Sequence, residues 1–486
     1  MKIGTLEIKE AGKVEEVKLG VIKISGLPNC LYGQVIEVGD GLKGMVIEFS
    51  RDSVLGIVFG DERKIKVGDY VYSQDKSLDI PVGDNFIGRI VNSLAQPLDN
   101  GGNIVHSDIY PVFRAACGVM ERQPICDTLY TGIKILDLIV PIGLGQRELI
   151  VGDRQIGKTS IALDTIINQK GKGVICIYCG IGGSHTSFTK VIDTLQSKGA
   201  MDYSLAVFAS AGSSSAEQYL CPYTAAALGE YFMFKGKNVL VVFDDLTKHA
   251  WIYRQMSLLM ERAPGREAYP GDIFFLHSQL MERAGKLKPE FGGGTMTFLP
   301  IAETLQGDIT GYIPSNLVSM TDGQIYMNAG LFQEGFKPAI DMELSVSRIG
   351  SKVQCSAIRA FSKGLRYIYT QYRSLLRLTR LRTKLSSDAT QQLQKGAVLY
   401  ELLIQENCAP VSLLEEILIF YAFESKILES LNIKQVRAFK TKFYDYLSSH
   451  NQTLIEEIEK SKDITPDIKL RLDYSIKEYF RGMSFG

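Results

Sequence analysis

A strand, a glycine-rich turn and a helix meet at Gly152-Asp153-Arg154-Gln155-Ile156-Gly157-Lys158-Thr159, and this G-x4-G-K-[ST] pattern constrains the chain more than any other stretch. Leu149, Ile150 and Val151 enter it as an apolar strand, and the run TSIALDTIINQ from Thr159 continues as a helix that also carries Ser160. Each residue type has a physical job. The glycines let the backbone curl with its N–H groups turned inward, and the helix N-terminus adds partial positive charge. Lys158 supplies a point charge for outer phosphates, and the Thr159 hydroxyl is a ligand for Mg2+. A second element agrees. Asn238 to Phe243 reads as a buried strand ending in Asp244-Asp245. A carboxylate at the C-terminal edge of a parallel strand beside such a loop holds Mg2+ through water, which assigns Asp244 to the metal shell. Asp245 suits the N-cap of the helix that follows.

A chain of 486 residues exceeds one ordinary domain. Up to about Lys76, short runs (VIKISGL, GQVIEV, GMVIEF, VLGIVFG) recur between Gly-rich turns, as in a small barrel or sandwich. From Leu78 the apolar runs ELIVG, GVICIYCG, LAVFAS, NVLVVFDD and DIFFLHS read as strands alternating with helices, the signature of a parallel sheet flanked by helices. Beyond Cys355 the periodicity is helical, as in Ser356 to Leu381 and Glu401 to Glu424, with Pro410 the one proline between Gln354 and Thr465. The fold class is therefore multidomain α/β: an N-terminal β-barrel over 1–77, a central P-loop parallel-sheet nucleotide-binding domain over 78–354 and a C-terminal α-helical domain over 355–486.

Lys+Arg and Asp+Glu balance at 54 each, so no global field favours nucleic acid or an anionic membrane, and any polyanion is met locally. The N-terminal MKIGTLEIKE carries no export signal, and no run approaches the roughly 18 apolar residues of a membrane span. Of the eight cysteines, Cys176 and Cys179 alone have redox or metal spacing. They sit on a strand, where residues three apart face opposite sides, so two buried thiols are expected instead.

Beyond these local features, five long segments closely resemble the alpha subunits of F-type ATP synthases. They are GDRQIGKTS, DDLTKHAWIYRQMSLL, APGREAYPGDIFFLHSQLMERAGK (263–286), FGGGTMTFLP (291–300) and PAIDMELSVSRIGS (338–351), and the similarity runs from about Gly20 to the C-terminal helices. The resemblance implies a non-catalytic subunit of a proton- or sodium-transporting two-sector ATP synthase. It would alternate with catalytic beta subunits in a hexamer around a gamma rotor shaft. It implies ATP or ADP with Mg2+, held but not turned over, with Gln155, Lys158 and Thr159 cradling the phosphates and adenine near Lys337, Pro338, Gln405 and Asn407. It also implies that Arg348 reaches across the interface to the ATP of the neighbouring beta subunit, where a guanidinium stabilises charge developing on the transferred phosphoryl group. By the same resemblance the chain is peripheral to a membrane through its complex, on the cytoplasmic face of a bacterial plasma membrane or the equivalent matrix or stromal face.

Hydrolysis needs a carboxylate or glutamine to orient the attacking water. Ile181 to Lys190 contain no Asp, Glu or Gln, and the position where catalytic relatives carry Glu, and typical alpha subunits Gln, falls on Gly183. His185 is the nearest substitute base, and a His in a Gly/Ser/Thr-rich loop is usually just solvated. The segment usually present before the barrel, which binds the delta subunit of the peripheral stalk, is replaced by MKIGTLEIKE, so stalk attachment is left open. The shaft-facing segment is basic instead of acidic, with Arg377, Arg380, Arg382 and Lys384. Two alternatives stand beside the leading reading: an alpha-like paralogue in an F-type-derived machine with another task, and an independently active hexameric secretion-type ATPase, which would need the carboxylate missing near Gly183.

Overall fold

Alternation between buried and exposed positions shapes the first part of the chain. In the computed structural model, which describes residues 10–50, 52–380 and 386–482, six antiparallel strands close into a barrel: β1 (Ala11–Lys18), β2 (Val21–Ser25), β3 (Gln34–Val38), β4 (Leu42–Phe49), β5 (Val54–Val58) and β6 (Tyr70–Ser77), in the order β1-β2-β5-β4-β3-β6. Val14, Ile22, Ile24, Ile36, Val38, Val46, Val58 and Val71 fill the interior. The apolar runs of the sequence are β2 to β5. The closing pair, β1 and β6, is hidden in the sequence because AGKVEEVK and YVYSQDKS keep so few apolar residues. Their mutual pairing, Ala11 to Tyr72 through Lys13 to Tyr70, leaves no strand edge exposed.

The chain divides into two compact units, one made of Met1–Pro124, Gly145–Leu149 and Lys170–Thr321 and the other of Ile125–Leu144, Ile150–Gln169 and Asp322–Gly486. In the first, beyond the barrel, parallel strands run side by side in the order Ile90–Val91, Ser204–Ser210, Val174–Gly183, Asn238–Asp244 and Thr295–Glu303. Their near-continuous apolar character follows from burial on both faces. One expectation fails here: DIFFLHS is not a strand but the start of the helix Ile273–Met281. Ile273, Leu276, His277, Leu280 and Met281 are its buried residues. That spacing has the helical period, which a short apolar window conceals. Cys176 and Cys179 are both buried, and Cys179 Sγ lies 3.5 Å from Cys221 Sγ.

In the second unit the sequence from Cys355 is helical, but each of the two long runs read as helical is broken. Gly364, at φ +83°, separates Ser356–Ser362 from Leu365–Arg380. The expected single helix over Glu401 to Glu424 is two, Ser387–Leu403 and Leu413–Glu424, with a loop between them. Pro410 cannot continue a helix, and Ser412 starts the second one through a capping box with Glu415. Arg377 is solvent-exposed, and Arg373 pairs with Glu334. Arg382 and Lys384, like Met1 to Lys9, lie outside the described residues. No helix among the described residues is long and apolar enough to cross a membrane.

A buried ion pair locks the first unit. Arg283 donates from Nε and Nη2 to the two carboxylate oxygens of Glu230, at 2.7 and 2.8 Å, with side-chain exposures of 1% and 3%. Its Nη1 donates to the carbonyl of Val112 at 2.9 Å, which ties the segment after residue 111 to the helix Ser215–Phe234. Removing one partner leaves an uncompensated buried charge. Arg283→Met is expected to cost about 3–5 kcal/mol in urea unfolding, and adding Glu230→Leu is expected to recover much of that loss.

Candidate functional site

The turn after Leu149–Gly152 is built by steric exclusion. A Cβ on Gly152 would lie 2.7 Å from the carbonyl oxygen of Met327 and 2.6 Å from Ile156 Cδ1, so only glycine lets the strand end approach so closely. Gly157 precedes the helix Lys158–Ile167 in the left-handed region at φ +98°, which turns the chain sharply into the helix. Asp153 is half-buried, Arg154 and Gln155 are exposed, and Ile156 is buried beneath the turn. Lys158 Nζ donates to the carbonyls of Gly152 at 2.8 Å and Asp153 at 2.6 Å, so the ammonium is folded back over its own loop. Thr159 and Ser160 are half-buried at the first turn of the helix. The sharp turn, the helix N-terminus and the buried ammonium together fit a polyphosphate chain.

Beside this turn lies a crevice. Gly157, Ser160, Ile161 and Asp164 form one wall, on one face of the helix at i, i+3, i+4 and i+7. Met327, Phe332, Lys337, Pro338 and Ala339 form a second, and Ile133 with Gln405, Glu406 and Asn407 the third. All four residues expected beside a base, Lys337, Pro338, Gln405 and Asn407, therefore meet the phosphate-loop helix in one place. Lys337 Nζ sits over the ring of Phe332, 4.9 Å from its centroid. Gln405 has little freedom: its side-chain N–H groups donate to the carbonyls of Gly132 (2.7 Å) and Ala409 (2.9 Å), and its Oε1 accepts from the backbone N–H of Lys134 (3.3 Å). Asn407 and Glu406 are exposed at the rim. Helical spacing from Ser160 made Asp164 readable in advance, whereas Met327 and Phe332 carry no local signal.

Asp244 and Asp245 have separate surroundings at the end of the strand Asn238–Asp244. Tyr178 donates its hydroxyl to Asp244 Oδ2 at 2.8 Å. Asp245 caps the helix Leu246–Leu259, accepting from the backbone N–H of Lys248 at 2.7 Å. Burial pushes the Asp245 carboxyl up to about 7, against the pull of the Lys248 ammonium. At the end of the strand Val174–Gly183, a Cβ on Gly183 would meet nothing nearer than Ser187 Oγ at 3.7 Å. The glycine there is not sterically required. His185 is exposed on the first turn of the next helix, its ring edge-on to Phe208 at 5.4 Å. Among the described residues no group of three His, Cys, Asp or Glu side chains is placed to hold a metal on its own.

Arg348 follows the short strand Val346–Ser347 and does not line the crevice. Its backbone N–H is anchored to the carbonyl of Asp322 at 2.8 Å, while the residue is exposed. Its guanidinium enters none of the ion pairs or side-chain hydrogen bonds found among the described residues.

Three family models cover most of the chain: the beta-barrel domain of the ATP synthase alpha/beta family over 7–74, its nucleotide-binding domain over 132–347, and the C terminal domain of the ATP synthase alpha/beta chain over 354–479. Among curated relatives, ATP synthase subunit alpha of Clostridium acetobutylicum is 44% identical over 474 residues, 98% of this chain and 94% of that one. The chain belongs to the ATP synthase alpha-subunit family. The corresponding proteins of Petrotoga mobilis (44% over 477 residues, 97% and 95% of the two chains) and Clostridium botulinum (42% over 474 residues, 98% and 94%) agree. The barrel, the central sheet and the helical C-terminal part expected from the sequence are the three alpha-subunit domains that the models match.

The close approach at Gly152 makes a direct prediction. Gly152→Ala is expected to destabilise the chain by about 1–3 kcal/mol through overpacking against Met327. If this turn holds phosphates, Gly152→Ala is also expected to abolish a rise in Tm on adding Mg-ATP that the wild-type chain shows, both read by differential scanning fluorimetry.

Proposed function

We propose that this chain is the nucleotide-holding, non-catalytic alpha subunit of a rotary F-type ATP synthase, and that its chemical contribution is made on a neighbouring subunit. The domains are assigned as 1–77, 78–354 and 355–486. Gly152 to Ser160 hold the phosphates of ATP or ADP, Lys337, Pro338 and Asn407 border the base, and Gln405 backs it. Mg2+, bound by Thr159 and through water by Asp244, would neutralise charge on the phosphates. The chain's own residues orient and enclose the nucleotide, and the segment 181–190 offers no Asp, Glu or Gln to activate water.

The observation that carries this reading is the end of the strand Val174–Gly183. Where a water-activating side chain belongs there is a glycine at which a Cβ would make only ordinary contacts, with an exposed histidine two residues on. Hydrolysis without a group to orient water loses most of its general-base contribution, about 10²–10⁴-fold. The exposed guanidinium of Arg348, anchored only through its backbone, supports a role in trans. An arginine supplied from a neighbour adds 10³–10⁵-fold to phosphoryl-transfer rates in systems that use one. The partners that follow are catalytic beta subunits alternating with this chain and a gamma rotor shaft within the hexamer, and the complex carries the chain to the membrane.

Two measurements test this. The purified subunit is expected to bind Mg-ATP with turnover near zero, and robust ATPase activity of the isolated chain would refute the proposal. In the reconstituted complex, Arg348→Ala is expected to cut turnover by about 10³-fold or more while leaving this subunit's own ATP affinity unchanged. Undiminished turnover would remove Arg348 from the chemistry.

A further inference from the structure

The loop between the helices Ser387–Leu403 and Leu413–Glu424 forms a whole wall of the nucleotide crevice, yet it has no regular hydrogen bonding of its own. Something outside it must fix its position. The end of the first helix points its unpaired carbonyls at a lysine, Lys134, at the start of the helix Lys134–Ile139. Lys134 is 2% exposed, a depth at which a lysine survives only with partners. Its Nζ donates to the carbonyls of Leu402 and Ile404, the latter at 3.0 Å. Its backbone N–H donates to Gln405 Oε1, and the amide of Gln405 then reaches Gly132 and Ala409. The backbone N–H of Gln405 completes the set, donating to the carbonyl of Lys337 at 2.8 Å.

We propose that Lys134 is the positioning residue of the nucleotide-base pocket: it touches no nucleotide, but its ammonium caps the C-terminal end of the helix Ser387–Leu403 and so sets the 404–409 loop against the phosphate-loop helix. The inference rests on the nucleotide reading of the crevice given above. A cation at a helix C-terminus is favoured by the helix dipole, and hydrogen bonds from a charged donor are the stronger kind. Gln405, whose amide is wholly consumed in this staple, acts with Lys134 as part of the anchor and not as a reader of the base edge. Other charges surround the ammonium. Lys440 and Arg437 face it from the helix Ile433–His450, with Lys440 Nζ sharing the carbonyl of Ile404 at 3.0 Å. Glu401 lies on the capped helix, and Glu415 and Glu416 belong to the helix after the loop. Burial, with Lys440 adding to it, holds the Lys134 ammonium down to about 7 against the attraction of those carboxylates.

The phosphates are held by the loop Gly152–Thr159, so the anchor should matter only to ligands that carry a base. The test compares ATP with inorganic tripolyphosphate, both with Mg2+, binding to the purified full chain. Lys134→Met is expected to weaken ATP about ten-fold or more while tripolyphosphate stays within about two-fold. Equal losses for both ligands, or no loss for ATP, would overturn the assignment. A second measurement needs no variant. In the wild-type chain, the ratio of ATP affinity to that of methyl triphosphate, which has no base and, like ATP, one terminal phosphate, is expected to fall as pH rises from 6 to 8.5, because the protonated form does the capping and is lost as pH passes through about 7. Protonation of the terminal phosphate affects both ligands and largely cancels in the ratio, and a ratio flat across that range would overturn the proposal. A wild-type chain that binds neither ligand would instead bring down the nucleotide reading, and this inference with it.

Discussion

The constraint on which the site depends is the close approach of the backbone at Gly152 to the carbonyl of Met327, where a methyl group has no room. Bringing a strand end this close to the neighbouring chain lets the following residues turn back on themselves. Gly157 then redirects the chain into the helix Lys158–Ile167, whose N-terminal end carries partial positive charge. The Lys158 ammonium, folded over the carbonyls of Gly152 and Asp153, has its charge at the mouth of that turn. The crevice walls follow from the same geometry, since one face of the helix Lys158–Ile167 supplies Ser160, Ile161 and Asp164.

Legibility in the sequence tracked how local the physics was. The phosphate loop is a matter of nine consecutive residues, and four of the six barrel strands announce themselves by apolar runs. β1 and β6 do not, because they carry Lys, Glu and Gln at partly or fully exposed positions, and their pairing joins residues about sixty apart. DIFFLHS misled because seven residues are too few to separate a strand from one buried face of a helix. The split of Glu401 to Glu424 is signalled by Pro410 and the Ser412–Glu415 box, but the apolar residues that crowd both sides mask the loop. Met327 and Phe332 reach the crevice only through tertiary packing. Lys134 reads as an ordinary helix-surface residue until its burial is seen.

Binding and turnover are built from different parts of this chain. What grips a polyphosphate is backbone, a lysine and a hydroxyl, all within one turn of helix. What would break a phosphoanhydride is a side chain that orients water, and Gly183 supplies none. Arg348, proposed to stabilise charge on a neighbour's nucleotide, is exposed and anchored by its backbone N–H, outside the crevice. Such a division lets the nucleotide serve as part of the structure while the reactive group is offered elsewhere.

The closed barrel has a consequence for assembly. A sheet with open edges can extend itself by recruiting strands from other copies, and that growth has no natural end. With β1 hydrogen-bonded to β6, the barrel offers neighbours only side-chain faces. Contacts made through such faces depend on shape and orientation, so they can close on themselves at a fixed number of subunits. A chain made in many copies is thereby steered toward a counted assembly and away from a fibre.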